Sequence, residues 1–363
     1  MRWTALRRFL VSALGLALAA GWAGPARAGE WKLATADGDS FVKLGLLAQG
    51  QALWLDNTAG DATSRDLFLR RLRLLLGGQV TPKLTFFLDT DSPNLGRGTA
   101  DGGKVEADVY VQDLVVTYSF SDQLRFDGGL LLIPSSYNSG QSAATLLPVD
   151  YGPYSFLSSQ PTTSKVGRDY GLLARGLLFG QHLEYRAGVF QGYRGQGSTE
   201  PFRTVARVAW YPLEPITGFF YPGTSRGEKR IVSVGATLDC QDDYSSLGAD
   251  LFVDLPVGKD GVTFQVDGVR WDGGETFTQL PEQDTLLVEA AYHFNRVKLS
   301  PFAQLATRDY KVAGQADEEQ LRVGLAWWPL GFRGNLKLSW GRIDRDGSPD
   351  RDEVVLQAQV FQY

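Results

Sequence analysis

The sequence predicts an all-β fold, a 16-stranded antiparallel transmembrane β-barrel. Three observations support this fold class. Apolar and polar residues alternate with a period of two along many segments, 16 such segments can be counted, and the connections between them are alternately short and long. A strand of a membrane barrel turns one face to lipid and the other to the lumen, so this alternation is expected. After the N-terminal segment, no window of about 11 residues shows helical periodicity.

The clearest pair of strands lies between Asp66 and Asp91, interrupted by Thr81-Pro82-Lys83. Proline lacks a backbone N–H, so Pro82 marks a tight connection. One apolar and one charged face would also fit an ordinary antiparallel sheet with one wet side, and the rest of the chain decides between the two. A period of two divides the first strand into a face with Phe68, Leu72, Leu74 and Leu76 and a face with Arg71, Arg73, Leu67, Leu69 and Leu75. In the second strand, Leu84, Phe86 and Leu88 alternate with Thr85, Phe87, Asp89 and Asp91.

The connections between the strand candidates alternate in length. Short ones such as Ser121-Asp122 separate longer ones such as 92–107 and 272–283. Outer-membrane barrels have short periplasmic turns and longer outer loops, whereas a soluble sandwich has no such separation. One connection departs from the rule, because Pro212–Glu228 is long although it falls on the short-turn side. The strand candidates are 40–54, 66–79, 83–91, 108–120, 123–133, 168–180, 181–191, 201–211, 229–240, 246–255, 261–271, 284–294, 296–308, 319–329, 334–344 and 352–363.

Residues 1–28 are predicted to be a secretory signal peptide, and residues 29–363 the outer-membrane β-barrel. Three arginines precede an apolar run from Phe9 to Ala20, and Ala26-Arg27-Ala28 has the A-x-A form of a cleavage site. The apolar run is too short for a spanning helix, and no later stretch reaches about 18 apolar residues. We therefore expect export, no transmembrane helix, and a location in the cell outer membrane of a Gram-negative bacterium.

The composition argues against several other classes of protein. A mean hydropathy of −0.16 is what alternating lipid-facing and lumen-facing residues average to. A net charge of −5 argues against a nucleic-acid partner. His182 and His293 are the only histidines, and no nucleophile motif accompanies them, so we expect no enzyme and no cofactor. The acidic stretch 344–353 lacks the ligand order of an EF-hand, and we expect no metal site.

The longest connection, 134–167, follows the fifth strand candidate. It is polar, with scattered aromatic residues that include Tyr137, Tyr151, Tyr154 and Phe156. A connection of this length in a compact structure usually has a function. We expect this long loop to be folded into the pore as a constriction loop. The alternative is a surface flap that contacts neighbouring molecules.

Charged residues on the predicted lumen faces form the candidate site, because rows of charge set ion preference in channels. Basic residues lie mainly in the early strands, while acids such as Asp239, Asp250 and Asp267 lie in the middle ones. This distribution predicts one basic and one acidic wall. The candidate pore-lining residues are Arg71, Arg73, Asp89, Asp91, Asp113, Arg125, Asp127, Glu184, Arg186, Arg207, Lys298 and Arg322.

Four segments resemble a known family: FLRRLRLLLGGQVTPKLTFFLDTD (68–91), VYVQDLVVTYSFSDQLRFDGGLLLIPSS (109–136), GEKRIVSVG (227–235) and KLSPFAQLA (298–306). They are similar to the phosphate-selective porin O and P family. The resemblance implies a 16-stranded barrel, a homotrimer and a loop folded into the pore. Those porins commonly carry a basic residue before the proline that follows the fifth strand, whereas Gly129 to Pro134 is uncharged. We therefore expect at most weak selectivity for anions such as phosphate.

Together, these observations predict an outer-membrane porin. It would be a passive diffusion channel for small hydrophilic solutes, weakly selective for anions such as phosphate. Its expected partners are the lipid bilayer, small inorganic or organic anions and two further copies of the chain. The alternative is a barrel with a plugged lumen that binds or anchors at the surface. Long loops with hydrophobic tips would favour this alternative, but the loops are short to moderate and rich in Gly and Asp.

Overall fold

The computed structural model describes residues 30–56, 62–162, 166–195 and 197–363. The predicted signal peptide, 1–28, lies outside the described residues. The chain divides into two units, Met1–Trp31 and Lys32–Tyr363, and the second contains the barrel. Two 3-10 turns, Leu157–Ser159 and Gly331–Arg333, are the helical elements among the described residues.

Sixteen antiparallel strands, β2 to β17, form a closed ring in which each pairs with the next, and β17 pairs with β2. Each predicted strand overlaps one of them, so the predicted 16-stranded antiparallel barrel is confirmed. The short strand β1 is additional. The strands are β1 (Trp31–Ala34), β2 (Phe41–Asp56), β3 (Thr63–Thr81), β4 (Leu84–Asp91), β5 (Tyr110–Ser121), β6 (Leu124–Leu132), β7 (Arg168–Leu178), β8 (Leu183–Phe190), β9 (Arg203–Trp210), β10 (Ile231–Gln241), β11 (Tyr244–Val257), β12 (Asp260–Asp272), β13 (Gln283–His293), β14 (Leu299–Tyr310), β15 (Glu318–Trp327), β16 (Gly334–Arg345) and β17 (Arg351–Gln362).

Alternate residues of each strand face the two sides of the barrel wall. On β9, Arg203 and Arg207 are buried on the inner face, while Val208 and Trp210 are exposed on the outer face. The same alternation runs along β10 and β11. Successive side chains of a strand point to opposite sides. The polar residues therefore face inward, and the apolar residues between them face outward.

A β-bulge displaces this alternation in β3. Gln49 of β2 pairs with Arg71, but the next residue, Gly50, pairs with Leu69, so Arg70 is the extra residue. Beyond a bulge, each side chain points to the face opposite to the one that an unbroken alternation would give it. Phe68 is therefore buried on the inner face and Leu67 is 78 % exposed, the reverse of the predicted assignment. Leu72, Leu74 and Leu76 follow the bulge along the chain, and their predicted assignment to one face of β3 holds.

The connections alternate in length around the ring, as predicted. One end has tight turns such as Pro82-Lys83 and Gly258-Lys259, and the other has most of the longer loops. The long loop joins β6 to β7. The connection 211–230, which contains Pro212–Glu228, joins β9 to β10 at the tight-turn end; we call it the proline segment. Among the described residues, no helix is both long and apolar enough to cross a membrane.

Removal of Phe361 to Tyr363 is expected to prevent barrel assembly. Phe361 pairs with Leu47, and Gln362 with Leu46, across the seam of the ring. Each unpaired backbone group in lipid costs several kcal/mol, whereas ~1.4 kcal/mol already changes an equilibrium constant tenfold. The heat-modifiable folded band in a membrane fraction should therefore fall by more than about tenfold.

The control for this truncation is Tyr363→Phe. It keeps the ring that lies edge-on to Phe87 at a centroid distance of 5.9 Å and removes only the hydroxyl. It should fold like the wild type. A folded band of normal intensity from the truncated chain would contradict the expectation that pairing of the last residues of β17 with β2 is needed for assembly.

Candidate functional site

Arginines on the inner faces of β3 and β7 are held by carboxylates of neighbouring strands. Arg73 lies between two acids, with Nη1 3.1 Å from Asp89 and Nη2 2.9 Å from Asp91. Arg168 approaches Asp113 at 3.0 Å. Arg175 approaches Asp127 at 2.5 Å. All of these side chains are at most 10 % exposed, so each charge is neutralised where it lies.

The same pairing continues on β8 and β9. Arg186 donates to Glu184 at 2.8 Å, and Arg203 pairs with Asp239 of β10, where both side chains are 0 % exposed. Arg207 of β9 reaches past β10 to Asp250 of β11, with 2.8 Å between Nη2 and Oδ1. The path between them crosses Gly235, where a Cβ would lie 2.4 Å from Asp250 and 2.5 Å from Arg207.

These pairs change the expected distribution of charge. The sequence placed acids such as Asp239 and Asp250 on a wall of their own, but they lie against Arg203 and Arg207. From β3 to β10 the wall is therefore a mosaic of neutral pairs, whereas Asp267 of β12 and Glu289 of β13 accept from N–H groups of Asn138 and Gln304. Burying an unpaired charge is expensive, which explains why each arginine of this wall has a carboxylate within reach.

The long loop contacts several walls of the barrel. Its Asp150 is 2.7 Å from Nε of Arg70 and 2.5 Å from Nη2 of Arg71. Lys337 of β16 donates to the carbonyl oxygens of Leu146, at 2.6 Å, and Pro148, at 2.9 Å. These three basic side chains hold the middle of the loop against β3 and β16.

The start of the long loop is bound to the opposite strands, β11 and β12. The backbone N–H of Tyr137 donates to Asp250 at 3.2 Å, and that of Asn138 to Asp267 at 2.7 Å. Gln141 donates to Gln265 of β12 at 2.6 Å. The loop therefore has contacts on facing walls of the ring.

The carboxyl group of Asp150 is the charged group that the described residues of the loop bring. Burial alone would raise its pKa, but the guanidinium groups of Arg70 and Arg71 outweigh this effect and hold the pKa well below its usual value. A depressed pKa means that the pair contributes stability at any pH above the ordinary pKa of the group. This stability is lost only as the pH falls through the depressed value, so mild acid leaves the loop anchored.

The proline segment also contacts the inner wall. Arg186 donates through Nη1 to the carbonyl of Phe219 at 2.9 Å. Tyr211 and Tyr221 donate their hydroxyls to Oε2 of Glu184, at 2.9 and 2.6 Å. Asp254 of β11 accepts from the backbone N–H of Gly227 at 2.9 Å. Strands β8 and β11 thus hold this segment by charged side chains.

Two open cavities lie at the ends of the barrel. One of about 510 Å³ at the tight-turn end is lined by Arg226, Lys298 and Trp328, among others. Another of about 330 Å³ at the opposite end is lined by acids that include Asp309, Glu318 and Asp344. Between the long loop and the β12–β13 wall, a cavity of about 20 Å³ has room for roughly one water molecule.

The predicted pore-lining residues are placed as follows. Arg71, Arg73, Asp89, Asp91, Asp113, Asp127, Glu184, Arg186 and Arg207 are buried on inner faces. Arg125 is partly exposed near a turn, where it pairs with Asp122 at 2.6 Å. Arg322 pairs with Glu353 at 2.6 Å.

Lys298 is not on a lumen face. It lies exposed in the turn before β14 with φ of 56°, and its Nζ donates to the carbonyl of Pro329 at 2.9 Å. This strand was predicted to begin at 296, whereas it begins at Leu299. The predicted alternation therefore included residues of the turn.

Five residues of the site were not identified from the sequence: Arg168, Arg175, Arg203, Asp150 and Tyr221. The inward positions of Arg175 and Arg203 follow from the alternation of β7 and β9, so that signal was present. Asp150 and Tyr221 lie outside strands, and no periodicity places a loop residue.

His293 lies beside a serine in a hydrogen-bonded cluster. Its Nδ1 is 2.7 Å from Oγ of Ser300, and its Nε2 is 2.7 Å from Oγ1 of Thr263. Ser300 also accepts from Nε1 of Trp328 at 2.9 Å. His293 and Ser300 are each 1 % exposed. This cluster is a hydrogen-bonded part of the interior.

The fold is that of outer-membrane barrels of known structure. The chain is similar to Salmonella typhi OmpF in complex with daunomycin, at 13 % identity and a TM-score of 0.61, covering 90 % of this chain and 100 % of that one. It is also similar to the outer membrane channel DcaP of Acinetobacter baumannii, at 11 % identity and a TM-score of 0.59, covering 91 % of this chain and 99 % of that one. The similarity to OmpT of Vibrio cholerae in its trimer form has 9 % identity and a TM-score of 0.56, covering 89 % of this chain and 99 % of that one. No protein-family model and no curated protein sequence matches the chain.

Replacing Arg203 by alanine is expected to destabilise the barrel by about 3–5 kcal/mol, because Asp239 would be left buried without its partner. Urea unfolding of the protein in lipid vesicles measures this loss. Arg270→Ala is the matched control, since Arg270 is 62 % exposed in its pair with Glu282. A pair this exposed contributes little, because solvent screens it. Equal losses in the two variants would show that the buried pair has no special role.

Proposed function

We propose that the chain is a porin of a Gram-negative outer membrane, a passive diffusion channel for small hydrophilic solutes. The observation that carries this proposal is a closed ring of 16 strands with an apolar outer face and a polar inner face. Such a ring satisfies its backbone in lipid and encloses a polar lumen. The similar barrels include one described as an outer membrane channel, DcaP, which supports the proposal. The function requires no catalytic residue.

The long loop is proposed to be the constriction of this channel. Its contacts with Arg71, Lys337 and Asp250 lie on inner faces of three separated strands. A segment held on facing walls narrows the space between them. Solutes would then pass through the space that the loop leaves, and its wall groups would set the preference.

The proposed ion preference is weakly anionic at most, with inorganic phosphate among the small anions that pass. The arginines that could attract anions already face carboxylates, as Arg73 does with Asp89 and Asp91. A dedicated phosphate site would need several converging basic donors without such partners. Lys337 is 1 % exposed and already donates to two carbonyl oxygens of the loop, so it is not a free donor either.

A homotrimer is proposed for the assembled protein. The resemblance of the sequence implies it, and OmpT of Vibrio cholerae, a barrel of similar fold, has a trimer form. Each chain would then supply its own pore, as the ring is closed within one chain.

A second candidate is a barrel with a plugged lumen that acts as a binding or anchoring protein. The observation that favours it is the burial of the long loop, in which Tyr137, Asn138, Leu146 and Leu147 are each at most 1 % exposed. A loop packed this tightly leaves little free space beside it. Solute flux distinguishes the two candidates.

Single-channel recording in planar bilayers tests the diffusion channel. The wild type should give discrete conductance steps, and Lys337→Ala should give larger ones, because it frees the loop carbonyls of Leu146 and Pro148. Arg342→Ala is the control, a basic residue of the same strand that pairs with Asp350 away from the loop. Absence of steps from folded wild type and folded Lys337→Ala would instead favour the plugged barrel.

Reversal potentials in a KCl gradient test the ion preference. Arg71→Ala/Arg73→Ala should shift selectivity towards cations, since Asp89 and Asp91 lose their counter-charge and Asp150 keeps only that of Arg70. Asp150→Asn should shift it towards anions by freeing Arg70 and Arg71. The wild type should lie near zero between the two. Shifts in the same direction, or no shift in either, would show that these side chains do not face the conducting path.

A further inference from the structure

The long loop and the proline segment enter the barrel from opposite ends and pair with each other. The backbone N–H of Tyr221 donates to the carbonyl of Gly140 at 2.8 Å. The backbone N–H of Ser142 donates to the carbonyl of Tyr221 at 2.9 Å. Tyr221 and Gln141 form a parallel β-bridge. Two connections that are about 80 residues apart in the chain thus share a small piece of sheet.

The side chains of the two segments form a continuous aromatic stack. The ring of Tyr221 lies on that of Tyr137 with 4.9 Å between centroids and 14° between planes. Tyr137 lies in turn on Phe252 of β11, at 4.2 Å and 13°. The hydroxyl of Tyr137 donates to the carbonyl of Pro222 at 3.0 Å. The loop residue Tyr137 is therefore clamped between the proline segment and the barrel wall.

Tyr221 is itself fixed by the wall and not only by the loop. Its hydroxyl donates to Glu184 at 2.6 Å and accepts from Nε of Arg207 at 3.2 Å. The guanidinium carbon of Arg186 lies 4.5 Å from the centre of its ring. Strands β8 and β9 thus set the position of Tyr221, and Tyr221 sets the position of Tyr137.

Two glycines permit this close approach. A Cβ at Gly140 would lie 2.7 Å from the ring of Tyr221. A Cβ at Gly223 would lie 2.5 Å from the carbonyl oxygen of Thr145 and 2.7 Å from Cα of Leu146. Real side chains do not tolerate such distances to backbone atoms. The contact is therefore specified from both segments, with one glycine in each.

We propose that Tyr221 is a specificity-determining residue of the channel, which positions the long loop and thereby sets the size of the solutes that pass. The inference rests on the proposed function and adds to it a second structural determinant, one that comes from the tight-turn end. The pore opening would be set jointly by the two segments, because neither ring of the Tyr137–Tyr221 stack can move without the other.

The experiment compares the full-length wild type with Tyr221→Ala, using two measurements on protein in lipid vesicles. Amide hydrogen exchange reports the order of residues 134–162, and vesicle swelling with neutral sugars of increasing size reports the size limit. Tyr221→Ala should speed exchange at Ser142 and its neighbours by about tenfold or more, which corresponds to about 1.4 kcal/mol. It should also admit larger sugars.

Two further variants sharpen the comparison. Phe220→Ala is the matched control, because Phe220 precedes Tyr221 but its ring packs on Phe87 of β4, at 5.8 Å, and on Phe219. It should leave exchange in 134–162 unchanged. Tyr221→Phe removes the hydrogen bonds to Glu184 and Arg207 and keeps the stack, so its effect should be smaller. If Tyr221→Ala yields no folded barrel, Gly223→Ala takes its place and should also speed exchange in the loop.

The outcomes separate this inference from the proposed function. Exchange in 134–162 that stays at the wild-type rate in folded Tyr221→Ala overturns the inference, whatever the sugar flux. Faster exchange with an unchanged size limit also overturns it. If no sugar enters with any variant, the wild type included, the diffusion channel is wrong, and the exchange rates still decide whether Tyr221 positions the loop.

Discussion

Closure of the ring is the constraint on which the rest of this structure depends. In hydrocarbon, backbone N–H and C=O groups have no water to bond, so a sheet can span a membrane only when its last strand meets its first. Here β17 pairs with β2 from Glu353 opposite Leu55 to Gln362 opposite Leu46. That register also decides what faces inward at the seam. Gln357 accepts from Gln51 at 2.8 Å and Gln359 from Gln49 at 2.7 Å, so amide pairs line the interior where the chain ends meet.

The closed ring then imposes a rule on charge. Inward arginines on β3 to β9 lie in a crowded interior of low dielectric, where an unpaired charge is unfavourable. Each therefore has a carboxylate in reach, either on a strand nearby or, for Arg71, on the long loop. Arg207 can reach Asp250 because the strand between them presents Gly235. The interior along β3 to β9 is consequently polar but locally neutral, which is the physical reason for the weak ion preference proposed above.

The sequence predicts the parts of this structure that depend on local alternation. Strand number, antiparallel order, loop lengths and the inward arginines of β3 and β8 follow from a period of two. The bulge at Arg70 does not, because it leaves the composition of β3 unchanged while it exchanges Phe68 and Leu67 between faces. Lys298 was predicted to line the lumen, but its own φ of 56° interrupts the alternation that a strand would continue. Asp150 and Tyr221 were missed for another reason, since their partners are fixed only when distant segments fold together.

The width of the ring leaves room for the two segments that we propose to occupy its interior. A 16-stranded barrel encloses more space than its own inward side chains can fill, unlike an eight-stranded one. The long loop reaches the walls at β2, β3, β9, β11, β12 and β16, and the proline segment adds contacts at β8, β9 and β11. The two are joined by backbone hydrogen bonds at Tyr221, so they act as one insertion supported from both ends. A segment supported at one end could swing on its hinge, whereas this pair is held from both ends. In the proposed channel, the free path would therefore lie beside the pair.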